Sequence, residues 1–194
     1  MRRKRIAGTE LDVSALCLGT YVVGTSLDEE QSFRLLDRYA GEGGNFIDTA
    51  NVYGKWLEGG MARSEIAIGK WMKERKNRGR LVIGTKGAHP DMRTMHIPRL
   101  SPADIADDVE ESLRNLQTDY IDLYWLHRDD PERPVEEIVE TLSRLVLAGK
   151  IRYFGCSNWT AERIEQAQLH AERSGLQGFS AHQTLWNLAA VNPG

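Results

Sequence analysis

A carboxylate, a phenol, an ammonium and an imidazole recur at matching places in this sequence. Asp48 closes the short apolar run Phe46-Ile47, and Tyr53 returns from the loop just after it; Lys86 ends Leu81-Val-Ile-Gly-Thr-Lys86, and His127 follows the run from Tyr120 to Leu126. If each run is a buried strand, all four groups lie just past the carboxyl ends of successive strands, where α/β proteins place their chemistry. Such a set can deliver a proton to an oxygen. A phenol ionises at about pH 10, too high for efficient donation at neutral pH. An ammonium beside it stabilises the phenolate, and a carboxylate keeps that ammonium charged and in place. Tyr53 is then the general acid, Lys86 its tuner and Asp48 the anchor of Lys86. His127, as a neutral imidazole, donates a hydrogen bond that orients a carbonyl oxygen. These groups supply no electrons, so a redox reaction needs a hydride donor. Ser157, Asn158 and Gln183 are neutral donor-acceptor groups suited to gripping a carboxamide.

Each residue has a plainer reading. Asp48-Thr-Ala also fits a helix cap, Lys86 a solvated surface lysine, Tyr53 a packed loop aromatic, and His127-Arg-Asp-Asp a charged turn. Joint placement at successive strand ends is what favours chemistry.

The elements that must position these groups repeat six times as an apolar strand followed by an amphipathic helix. Ala15 to Leu18 is the first strand, ending in Gly19-Thr20, and Asp28 caps a helix with Gln31 completing a capping box. Asn45 to Asp48 is the second strand, and Ser64-Glu65 opens the second helix. After the third strand, Leu81 to Lys86, a long connection from Gly87 to Leu100 reads as functional and as a border of a substrate pocket. Ser101-Pro102 starts the third helix; Tyr120 to Leu126, Ile151 to Ser157 and Phe179 to His182 are the remaining strands, with helices from Val135 and after Thr160 between them. Residues 1 to 14 read as a hairpin that plugs or covers the main fold.

Alternation of this kind means parallel strands and right-handed crossovers. No strand is followed by the Gly-x-Gly-x-x-Gly fingerprint of an open dinucleotide-binding sheet. Polar residues end nearly every strand, as in a barrel whose strand ends share one mouth. The expected fold is therefore an α/β (β/α)8 TIM barrel with an N-terminal β-hairpin, one incomplete domain over residues 1 to 194. A closed barrel takes about 250 residues. Two units are thus expected to be missing after the sixth strand, which leaves a fragment, a natural short form, or a sheet completed by another copy through unpaired edges.

Composition narrows the classes further. With 41% hydrophobic and 27% charged residues the chain can bury a sizeable core, and its net charge of -3 offers no field for nucleic acid or an anionic membrane. The basic start Met-Arg-Arg-Lys-Arg is followed by no apolar run, so neither a signal peptide nor a span is expected and the reading is cytoplasmic. Cys17 and Cys156 lie in apolar runs and read as buried, reduced thiols. His89 and His96, in a proline-containing loop, match no common metal-ligand spacing, so no metal is expected.

Together, Leu18-Gly-Thr20, Phe46-Ile-Asp-Thr-Ala50 with Tyr53-Gly54, Gly84-Thr-Lys-Gly87, Leu126-His127, Gly149-Lys-Ile-Arg152, Gly155-Cys-Ser-Asn158 and Gln183 resemble, in order, the motifs of the aldo/keto reductases. The resemblance implies NADPH as hydride donor and reduction of a small-molecule aldehyde or ketone to an alcohol. It makes Asp48, Tyr53, Lys86 and His127 a catalytic tetrad, places Gly19, Thr20, Asp48, Ser157, Asn158 and Gln183 around the cofactor, and has the hairpin close the barrel floor. The family's nicotinamide-stacking aromatic and 2'-phosphate grip belong to strands seven and eight. Trp186 stands where similar proteins usually have Tyr, as a pocket wall or as packing. The alternative expectation is a reductase-like binding or regulatory module that turns over poorly.

Overall fold

The strand-helix alternation is present in the computed structural model, which describes residues 1–185. A two-stranded antiparallel hairpin, β1 (Arg3–Arg5) and β2 (Asp12–Ser14), precedes a six-stranded parallel sheet. The sheet is formed by β3 (Leu18–Gly19), β4 (Phe46–Asp48), β5 (Val82–Gly87), β6 (Ile121–Leu126), β7 (Ile151–Ser157) and β8 (Ala181–Gln183), side by side in chain order. Helices α1 (Glu29–Gly41), α2 (Arg63–Arg75), α3 (Pro102–Leu116), α4 (Val135–Leu147) and α5 (Ala161–Arg173) fill the crossovers.

The sheet is strongly curled. Gln183 on β8 donates from Nε2 to Asp48 Oδ2 on β4 at 3.2 Å, although four strand spacings separate them. In a flat sheet that separation is about 19 Å, at roughly 4.8 Å per strand. Six curled strands make a half-barrel, and the expected eight-stranded closure is not reached within the described residues.

Curling gives the sheet two buried faces. Outside, Ile47, Ile83, Tyr124 and Phe154 pack against α-helical residues such as Trp71, Ile105 and Leu142. Inside, Val82, Leu123 and Trp125 form a smaller cluster with Leu11 and Val13 of the hairpin. The hairpin is fixed at the amino ends of the strands: Asn45 Oδ1 accepts the Ser14 N–H at 2.7 Å, and Asn45 Nδ2 donates to the Asp12 carbonyl at 3.0 Å. Trp125 lies across the interior, so close to its neighbours that a Cβ on Gly155 would sit 2.7 Å from its ring and one on Gly84 3.0 Å from its Nε1. Glycine at both positions is what lets the indole form a floor beneath the strand ends.

Most helix starts follow the expected chemistry. Asp28 with Gln31 and Ser101 with Asp104 form capping boxes, and Thr160 caps α5. Several expectations shift, among them the sixth strand, which runs Ala181–Gln183 rather than Phe179 to His182. The first strand begins at Leu18 rather than Ala15, because β3 is an edge with one neighbour among the described residues and the segment before it is exposed. Cys17 shares that exposure, so only Cys156 is a buried thiol. Helix α2 starts one residue before Ser64, without a side-chain cap; the Ser64 hydroxyl instead bonds the Thr20 carbonyl and Thr49 Oγ1, each at 2.9 Å. Trp186 lies outside the described residues. No helix among the described residues is long and apolar enough to cross a membrane.

Candidate active site

Asp48 and Lys86 come from neighbouring strands and face the interior just above the Trp125 floor. Lys86 Nζ lies 2.5 Å from Asp48 Oδ2 and donates to the Thr49 carbonyl at 2.9 Å. Their side chains are only 4% and 10% exposed, so neither charge is tolerable without the other. The pairing explains how the interior holds an ammonium at all. Asp48 Oδ1, buried beside it, has no hydrogen-bond partner among the described residues.

Tyr53 descends from a series of turns after β4. The Lys86 ammonium is 5.3 Å from the centroid of its ring. Tyr21 and Trp56, stacked on each other at 5.0 Å, meet the same ring edge-on, with Tyr21 5.5 Å from Tyr53. On the far side His127 stands 6.2 Å from Tyr53, centroid to centroid, at 75°.

The His127 imidazole is held neutral. Burial, then the charge of Lys86, then His89 and Arg128, push its pKa down from 6.5 to about 3. His89, whose ring is 4.9 Å away, is likewise lowered by burial. His127 Nδ1 is buried with no acceptor among the described residues. The single proton of the neutral ring therefore belongs on Nε2, because an N–H without an acceptor is costly to bury.

The remaining expected residues divide. Ser157, Asn158 and Gln183 line one cleft of about 300 Å³ together with Asp48, Tyr53, Lys86 and His127. Asn158 takes a left-handed φ of +60° and donates from Nδ2 to Ser157 Oγ at 3.1 Å. Gly19 pairs with Asp48 in register but adds no side chain. Thr20 is fully buried, and its hydroxyl donates to the Asp48 carbonyl at 3.0 Å. It braces the strand end that carries Asp48 and does not line the cleft.

Sequence reasoning missed the aromatic pair Tyr21 and Trp56, which have no periodic signal because both stand on irregular loops. It also left His89 unassigned, since its meeting with His127 joins two different loops. His96 is exposed, and among the described residues no group of three or more His, Cys, Asp or Glu side chains could hold a metal ion.

The fold and the cleft define an α/β barrel-type protein whose polar groups converge at the carboxyl ends of its strands. The chain belongs to the aldo/keto reductase family, whose model matches residues 15–193. It is 36% identical over 190 residues to the aldo-keto reductase ausK of Aspergillus calidoustus, covering 90% of this chain and 46% of that protein. It is 34% identical to norsolorinic acid reductase B of Aspergillus parasiticus (96% and 51% covered) and 34% identical to an NADP(+) aryl-alcohol dehydrogenase of Phanerodontia chrysosporium (96% and 52%). The chain therefore spans about half the length of these curated relatives. Among solved structures it superposes on the thermostable aldo-keto reductase Tm1743 with a TM-score of 0.76 at 30% identity, over 96% of this chain and 63% of that one.

Proposed function

We propose that this chain carries the proton-transfer site and the nicotinamide end of an NADPH-dependent carbonyl reductase. One observation supports the reading above the rest. The Lys86 ammonium, fixed by Asp48 and the Thr49 carbonyl, lies 5.3 Å from the centroid of the Tyr53 ring and lines one cleft with Tyr53 and His127.

The neutral side chains of Ser157, Asn158 and Gln183 suit a carboxamide, which both donates and accepts. They are the residues that would hold the nicotinamide. NADPH, when bound, supplies the hydride that no side chain of the chain can provide. Tyr53 Oη would give its proton to the carbonyl oxygen as that oxygen takes on negative charge during reduction. Lys86 stabilises the phenolate left behind until solvent returns a proton. His127 donates from Nε2 to the same oxygen while remaining uncharged, so it aligns the carbonyl without adding a second cation beside Lys86.

The test is a titration with NADPH, with NADH in comparison, followed by steady-state reduction of a reactive aldehyde by wild type and Tyr53→Phe. The expected variant loses roughly 1000-fold or more in kcat and keeps its NADPH affinity within about twofold. Full turnover by Tyr53→Phe removes it as the acid. Failure to bind NADPH would mean that this stretch alone cannot hold its hydride donor, so that function lies in a longer protein or in the alternative, a non-catalytic binding or regulatory role.

A further inference from the structure

The residues Lys86 to Ala88 are where the other site loops are tied. The Lys86 carbonyl accepts the N–H of Asn51, on the loop that returns Tyr53, at 2.8 Å. The Gly87 carbonyl accepts the N–H of His127 at 2.9 Å. The chain then leaves β5 through Ala88, which is fully buried and has a φ of +58°. A residue with a Cβ keeps that left-handed conformation only where its surroundings impose it.

Asp108 on α3 imposes it here. Asp108 is 5% exposed; its Oδ2 accepts the Ala88 N–H at 2.7 Å, and its Oδ1 accepts from Arg99 Nη2 at 2.7 Å. Gly87 packs so tightly that a Cβ there would strike Tyr124 Oη and lie 2.9 Å from Asp108 Cβ, so the strand end cannot slide toward the helix. We propose that Asp108 is a positioning residue: its carboxylate sets the left-handed turn at Ala88, and through it the approach of Lys86 to Asp48 and of His89 to His127. Arg99, from the end of the connection after β5, ties that connection to the same carboxylate. The inference rests on the reading of Asp48, Tyr53, Lys86 and His127 as the reacting groups.

The plainer role for Asp108 is stability alone, and two readouts separate the roles. The first is the NMR signal of the Ala88 amide together with that of the His127 ring, which senses the His89 ring 4.9 Å away. The second is kcat against KM for 4-nitrobenzaldehyde reduction. In Asp108→Ala the Ala88 amide loses protection from exchange and the His127 signal moves. There kcat falls roughly 10- to 100-fold, while KM for NADPH stays within about twofold. Asp108→Asn, which retains an acceptor, keeps most of the rate. Ala88→Gly added to Asp108→Ala moves the His127 signal and kcat back toward wild type, because glycine takes this φ without support, while the residue-88 amide, still lacking the Asp108 acceptor, stays open to exchange.

An unmoved His127 signal in folded Asp108→Ala, or a rate loss that Ala88→Gly leaves untouched, overturns the proposal. Should Asp108→Ala not fold, Arg99→Met is expected to move the same two signals by less, and unmoved signals there overturn it as well. A wild-type chain that reduces no carbonyl sinks the proposed function, while the NMR arm still decides the role of Asp108.

Discussion

The two ends of the same strands are built from opposite materials. Toward the amino ends, Leu11 and Val13 of the hairpin pack on Val82 and Leu123 in an apolar plug that reaches up to Trp125, the in-register neighbour of Lys86. At the carboxyl ends, a buried ammonium, its carboxylate and a neutral imidazole face a cleft of about 300 Å³, with Asp48 Oδ1 and His127 Nδ1 left without partners among the described residues. The apolar end gains from exclusion of water, and the polar end holds groups that are costly to bury. The contrast shows how one interior divides labour: the plug stabilises, and its surplus tolerates an unsatisfied site above the Trp125 floor.

Breaking the polar end should cost most. Lys86→Met leaves the Asp48 carboxylate buried without its cation, and a loss of about 3 to 5 kcal/mol is expected in urea unfolding, along with the loss of any turnover. A variant as stable as wild type would mean the pair is better hydrated than its burial suggests. Leu11→Ala should cost about 2 to 4 kcal/mol at the other end while leaving NADPH affinity unchanged. If affinity changed instead, plug and site would be coupled through Trp125 and the division of labour would fail.

The His127 imidazole sharpens the contrast through pH. Its folded pKa of about 3 lies below the ordinary 6.5, so between those values the unfolded chain binds a proton that the folded chain does not. Stability is therefore lost as pH falls through that window, by about 2 kcal/mol at pH 5 from this group. His127→Gln should flatten that part of the wild-type curve, as read from thermal unfolding between pH 4 and 7. An unchanged slope would assign it elsewhere, with His89, also lowered, as the next group to replace. The smallest effect is expected for Tyr153→Phe, which removes the acceptor of the exposed Glu10 N–H at 3.1 Å and should cost about 0.5 to 1 kcal/mol with no change in turnover.

Much of the fold was legible because its signals are local. The capping box at Asp28, the Ser101 cap and the strand Ile151–Ser157 appear where side-chain spacing put them, and Asp104 adds a box at Ser101 that was not expected. The edge strand was overextended, since Ala15 to Cys17 are apolar enough to read as strand but are exposed and join no strand of the sheet among the described residues. Asp48, Tyr53, Lys86, His127, Ser157, Asn158 and Gln183 were legible as a set because strand ends in parallel sheets point one way. Thr20 shared the same signal and yet is spent as a brace, a difference set by the contact with Ser64 from another element.

The sequence by itself determined the alternation of strands and helices, most of the caps, and the polar residues at or just past most strand ends, because these depend on periodicity and hydrogen bonds within a few residues. Tertiary structure alone decided that Gln183 reaches Asp48, that His89 lies against His127, and that Asp108 holds the turn at Ala88. Each of those meetings joins residues on different strands, loops or helices. It exists only because the sheet curls and its helices close over it, and curl is a property of the whole packed sheet rather than of any stretch of chain.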